Sequence, residues 1–204
     1  MNIVRLTMFL FTFSMVECYS QTTEPLSEDN FYNIGVSGNY YKDLDNEMDY
    51  FLGTWIHDDG DNQFTLFIKK EERVPFNGSF KDMLVGEYRF VQNGIEKVNS
   101  LNLLDTRSGR AHLIHGNSIV YNCWYLNAKN CRDGEPRFVL RIDIPNVDRP
   151  LGTISLHKPA VNRSLGQELL IGEMVFEFLG HLQIGESLPE IDLPWQEDYL
   201  FVRQ

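Results

Sequence analysis

The feature that most constrains this chain is a period of two. From residue 53 onward, short runs of alternating apolar and polar residues follow one another, each bounded by Gly, Pro, Asn or Asp. Such alternation builds half-buried strands, not helices. Residues 63–69 set the pattern, with Phe64, Leu66 and Ile68 on one face. Residues 85–91 alternate as well, and Leu84, Gly86, Tyr88 and Phe90 fall on one side. Asn93-Gly94 follows at once, the strongest short hairpin signal, so residues 95–98 read as the returning strand. Further strand candidates are residues 112–115, 118–126, 137–144, 152–157, 173–179 and 198–203, all rich in Val, Ile, Phe and Tyr. The best helical candidate, residues 164–170, is two turns at most. About nine or ten short strands in one run, with short turns and no internal repeat, predict an antiparallel barrel or sandwich.

The strand series does not begin at the N-terminus. Arg5 is a short positive region, residues 6–16 are an apolar run, and Cys18-Tyr19-Ser20 supplies small residues at the −3 and −1 positions. This is the layout of a secretory signal peptide, residues 1–20, with cleavage after Ser20 and export to the periplasm, the cell surface or the medium. The apolar run is too short to span a bilayer. A lipoprotein would need Cys18 as its lipidated residue, but Glu17 precedes it where a small residue is wanted. Residues 21–44 are polar and irregular and read as a leader or linker. The barrel domain then covers residues 45–204.

Removal of residues 1–20 takes away Arg5 and Glu17, one charge of each sign, so the net charge stays at −11. That acidity argues against nucleic acid and anionic membrane surfaces as partners. Beyond residue 20, charges recur too often for a transmembrane helix. Two cysteines remain, Cys123 and Cys131, and two cysteines in an exported chain predict a disulfide. A lone C-x7-C lacks the second pair that a zinc site would use.

No motif for catalysis or metal binding stands out. The acidic cluster Asp58-Asp59-Gly60-Asp61-Asn62 lacks the spacing and distal Glu of a calcium-binding EF-hand, and reads as a hairpin turn in which Gly takes the positive φ. His112 and His115, at an odd offset within one expected strand, should point to opposite faces and share no metal. His57, His157 and His181 are isolated in sequence. Ser164, in Arg163-Ser164-Leu165-Gly166, has no strand leading into it and no nucleophile-elbow pattern around it. Glu173 and Glu177 share a strand face but read as solvated acids in preference to a glycosidase pair. Asn77-Gly78-Ser79 and Asn162-Arg163-Ser164 match the glycosylation pattern and are taken as loops. No cofactor is expected, and the chain does not read as an enzyme.

Gly53-Thr54-Trp55, at the head of the strand series, resembles the G-x-W at the first strand of lipocalins and their relatives. That resemblance implies a Gly that permits a tight turn and a Trp that plugs one barrel end. The stretch from Asn46 to Trp55, the strand ending Ile68-Lys69-Lys70, Gly86-Glu87-Tyr88, the Asn93-Gly94 turn, Cys123, Pro194 and the terminal Leu200-Phe201-Val202-Arg203-Gln204 carry a broader likeness. Over residues 45–204 the chain is similar to an uncharacterised family of secreted proteins found in flavobacteria and their kin, a domain of unknown function. The likeness implies an all-β, lipocalin-like antiparallel barrel of about eight to ten strands, and no activity. Alternation places Arg203 on the face of Tyr199 and Phe201, so its guanidinium is expected across Trp55 at the closed end.

Two functions suit such a barrel. One is a binding module holding a small apolar or amphipathic ligand in its mouth. The other is a protein–protein interaction module whose interior its own side chains fill. The 14 Phe and 9 Tyr residues suit either, since they line pockets as readily as they fill cores.

Overall fold

The fold is known from a computed structural model, which describes residues 21–26, 36–123, 131–145, 150–159, 166–178, 193 and 198–204. The expected signal peptide, Ser164, the Asn162 motif, His181 and Pro194 lie outside the described residues. Within them the chain forms eleven strands: β1 Thr23–Pro25, β2 Tyr40–Lys42, β3 Gly53–Asp58, β4 Asn62–Phe76, β5 Ser79–Gln92, β6 Ile95–Asn99, β7 Ile114–Val120, β8 Arg137–Ile142, β9 Pro150–His157, β10 Leu169–Phe178 and β11 Asp198–Arg203.

Eight of these close into a ring. In order they run β3-β4-β5-β7-β8-β9-β10-β11 and back to β3, with every neighbouring pair antiparallel. Closure removes the exposed edges that an open sheet would leave. Three strands stand outside the ring. One edge of β5 is divided among β2 at Phe80 and Lys81, β7 at Leu84 to Gly86, and β6 at Arg89 to Gln92. The segment read as a leader thus supplies β1 and β2, which pair parallel to each other, and β2 also pairs parallel with β5.

The hairpins follow from their turn residues. Asn93 and Gly94 have φ of 50° and 75°, the double left-handed turn that matches strand twist. Asn77 and Gly78, at 47° and 82°, make the same turn between β4 and β5. Taken from sequence as a mere loop, this pair in fact closes the longest hairpin of the fold. Near its end β4 carries a bulge between Glu71 and Val74, with Arg73 at φ 56°.

Several boundaries differ from expectation. The two strands expected at 112–115 and 118–126 meet in one strand, β7, with an irregularity between His115 and Ser118. His112 precedes it, at the end of the 3-10 turn Gly109–Ala111, and Cys123 lies beyond its end. No helix forms at Leu169 and Leu170, which pair with Val202 and Phe201 and open β10. Apolar side chains at both positions satisfy a strand as well as a helix, and the closing partner decides between them.

Candidate functional site

The barrel interior is the first place to seek a ligand, and among the described residues its inward side chains pack against one another. Trp55, Phe64, Leu66, Tyr88, Phe90, Phe138, Leu140, Ile154, Leu156 and Phe201 point inward and are fully buried. Phe64 makes edge contacts with Tyr88 and Phe90 on β5 at 5.5 and 5.6 Å, and with Tyr199 and Phe201 on β11 at 5.3 and 5.7 Å. One side chain on β4 therefore reaches walls on either side of it. Such edge-to-face pairs add about 0.5–1.5 kcal/mol each beyond the area they bury.

The 3-10 helix Asp49–Phe51 leads into β3 and sends Phe51 into the core. Phe51, fully buried, lies 5.0 Å from Phe138 of β8, on the far wall of the ring. Trp55 is also fully buried, and its Nε1 donates to the Phe51 carbonyl at 2.9 Å. Gly53, at φ 109°, makes the turn between helix and strand that an L side chain resists. Arg203 lies opposite Trp55 in the β11–β3 register, and its guanidinium carbon sits 4.8 Å from the indole centroid. Its Nη2 donates to the carbonyls of Tyr50 and Leu52 at 2.8 and 2.6 Å, and its Nη1 pairs with Glu168. Gly53, Trp55 and Arg203 are thus brought together, with Phe51 and Tyr50 joining them. No sequence signal beyond proximity to Gly53 marked those two aromatics.

On the outer face, a polar network stands beside the β4 bulge. His112, fully buried, has Nδ1 3.0 Å from Glu87 Oε1 and Nε2 3.3 Å from Glu71 Oε1. Arg107 reaches the buried Glu87 at 3.2 Å, and Lys69 reaches Glu71 at 3.1 Å. Burial opposes ionisation of Glu71, but the Gly109 amide, Lys69 and His112 outweigh it and hold the carboxyl below its usual range. His115 does not oppose His112 across a strand. Its Nδ1 donates to the His112 carbonyl at 3.0 Å, because His112 belongs to the turn and not to β7. Among the described residues no group of three or more His, Cys, Asp or Glu is placed to hold a metal ion.

Above this network, the bulge and the turn at residues 108–111 border a groove of about 410 Å³. Glu71 forms part of its lining, together with Arg73, Val74 and Arg110. The groove exists because β4 gains residues at the bulge, which no alternation pattern reveals.

The other candidates are structural. Cys123 and Cys131 form a disulfide with Cα atoms 5.7 Å apart. The loop at 58–62 is a turn: Asp59 accepts from the amides of Asp61 and Asn62, bonds that hold its carboxyl at about 2, and Gly60 has φ 96°. His57 bonds the Leu200 carbonyl at 3.0 Å. Glu173 is not solvated. It is buried, faces Ser155 in register and lies 3.9 Å from the buried Arg137, a pairing across strands that the sequence leaves open. His157, opposite Arg137, is buried beside them, while the Glu177 side chain lies outside the described residues.

No helix among the described residues is long and apolar enough to cross a membrane. Comparison with curated proteins and with solved structures yields no match. A family model does match, over residues 1–155, a span that takes in the 3-10 helix Asp49–Phe51, the bulge, the His112 network and most of the ring. The chain belongs to that family, the family of unknown function DUF6705.

Proposed function

We propose that this protein is an exported, non-catalytic binding module that meets a protein partner with its outer surface and loops, and not with its barrel interior. What supports this is the packing of aromatic rings inside the ring of strands among the described residues: Phe64 contacts both β5 and β11, and Phe51 reaches Phe138. A small ligand held in the barrel mouth would have to displace these rings, at a cost of several kcal/mol of buried aromatic area. Export is supported by the charged, apolar and small-residue order of residues 1–20 and by the Cys123–Cys131 disulfide. The lipocalin-like start is supported by Gly53 in its left-handed conformation and by Trp55 bonded to the Phe51 carbonyl. The flavobacterial context is the one the sequence resemblance implies.

The test is native mass spectrometry of protein purified from its own host, with titration of an apolar fluorescent probe. The expected result is the mass of the chain alone and no saturable probe binding. A co-purified small molecule at one per chain, or a probe that quenches buried Trp55 stoichiometrically, would overturn the reading in favour of a ligand in the barrel.

A further inference from the structure

We propose that the groove between the β4 bulge and the turn at residues 108–111 is a binding site for a carboxylate, held between Arg73 and Arg110. This deepens the outer-surface reading above and rests on it.

The first support is a pattern of charge pairing. Eight arginines lie among the described residues. Six are ion-paired: Arg89 with Glu96, Arg107 with Glu87, Arg132 with Glu135, Arg137 with Glu173, Arg141 with Asp143 and Arg203 with Glu168. Arg73 and Arg110 have no carboxylate partner among the described residues, and both line this groove. In a chain of net charge −11, acids to pair with are plentiful. Two arginines left without one, both lining a single groove, make it a local anion site.

Both cations are positioned before any ligand arrives. The Arg73 guanidinium lies over Tyr40 and Phe80, at 4.9 and 5.2 Å, and donates to Gln21 at 2.8 Å. That of Arg110 lies over Phe76 at 5.3 Å. Stacking on a ring occupies the face of a guanidinium and leaves N–H groups on its edge for a planar acceptor.

The backbone lining the groove is unusual at the bulge and closely packed at the turn. Arg73 holds φ 56°, where a residue with a Cβ is uncommon. Opposite it, Gly109 holds φ 51°, and a Cβ there would stand 2.7 Å from Val74 Cγ1. Bulge and turn are pressed together so closely that only glycine fits, and a conformation such as that of Arg73 is found at binding sites more than elsewhere.

The other lining residues select the ligand. Glu71 is already satisfied by Gly109, Lys69 and His112, so it adds little repulsion. Glu72 on the rim still penalises a second negative charge, which favours a single carboxylate over a phosphate dianion. Val74 and Pro75 offer apolar contact to a short aliphatic neighbour. Two sources present that chemistry: a free aliphatic acid and the C-terminus of a partner chain.

The experiment is amide NMR of the whole protein titrated with hexanoate, with an acetylated tripeptide ending in a free Val carboxylate, and with the same peptide as its C-terminal amide. At least one carboxylate probe is expected to give saturable shifts at residues 72–74 and 108–111, while the amide gives none. Arg73→Gln and Arg110→Gln should each weaken binding about tenfold, and Arg132→Gln should leave it unchanged. Binding of the peptide alone assigns the source to a partner's C-terminus, and binding of hexanoate alone to a small acid. Absence of saturable shifts, or shifts indifferent to both arginine substitutions, overturns the groove proposal while leaving the outer-surface reading standing. Shifts centred on Trp55 and Phe64 would overturn both.

Discussion

Arg203, in the last strand, lies directly opposite Trp55, in the first strand of the ring, and its guanidinium carbon stands 4.8 Å from the indole centroid. The two ends of the barrel domain are therefore tied where the ring closes. Arg203→Ala removes the stacking and two donated bonds to the carbonyls of Tyr50 and Leu52. The expected loss is about 1.5–3 kcal/mol, since part of the side chain meets solvent. Urea unfolding measures it. Arg203→Lys should recover less than half, because an ammonium lacks the planar fork. An unchanged midpoint for Arg203→Ala would rule out the tie.

Trp55 carries the larger share of that end. Trp55→Ala empties a fully buried site and releases the Phe51 carbonyl. The expected cost is about 3–5 kcal/mol. Trp55→Phe, which keeps most of the volume but not the indole donor, should cost about 1–3 kcal/mol. Measured together, Trp55→Ala and Arg203→Ala should fall short of additivity by at least about 0.5 kcal/mol.

The disulfide makes a separate contribution. Replacing Cys123 and Cys131 with Ser opens a loop of about nine residues, and the expected loss is roughly 2.6 kcal/mol from chain entropy. Thiol labelling of the native, non-reduced protein should modify neither cysteine. Labelling of both would contradict the pairing.

Burial pushes the His115 imidazole below the usual histidine value, against the His112 carbonyl bond and Asp143, with Arg141 and Arg110 acting in the same direction as burial. The folded chain thus binds this proton less readily than the unfolded chain. Its contribution to stability is complete above the ordinary histidine value of about 6.5 and is lost as pH falls below it. Urea midpoints should drop between pH 7 and pH 5, and His115→Asn should flatten that slope. A slope equal to the parent's would show that His115 is not its source.

Alternation and turn chemistry determined much of this protein directly. Phe64, Leu66 and Ile68 had to share a face, Asn93-Gly94 had to reverse the chain, and the strands so made had to close or stack to bury that face, since backbone geometry fixes a period of two. The position of Gly53-Thr54-Trp55 marked where the series starts, and the alternation of Tyr199, Phe201 and Arg203 put these three on one face of the last strand, which the structure turns inward. What the tertiary structure alone decided is everything that depends on partners distant in the chain. Leu169 and Leu170 became strand because Val202 and Phe201 lie beside them. Glu173 was buried because Arg137 comes within reach across two strands. Phe51 entered the core because Phe138 stands there to meet it. His112 came to lie between Glu71 and Glu87, residues far from it in sequence that share one face of the sheet only once β4 and β5 are paired. The groove between Arg73 and Arg110 has the same origin: one bulge displaces β4 against a glycine turn, and a local pattern cannot encode a displacement whose energy is set by the surface that receives it.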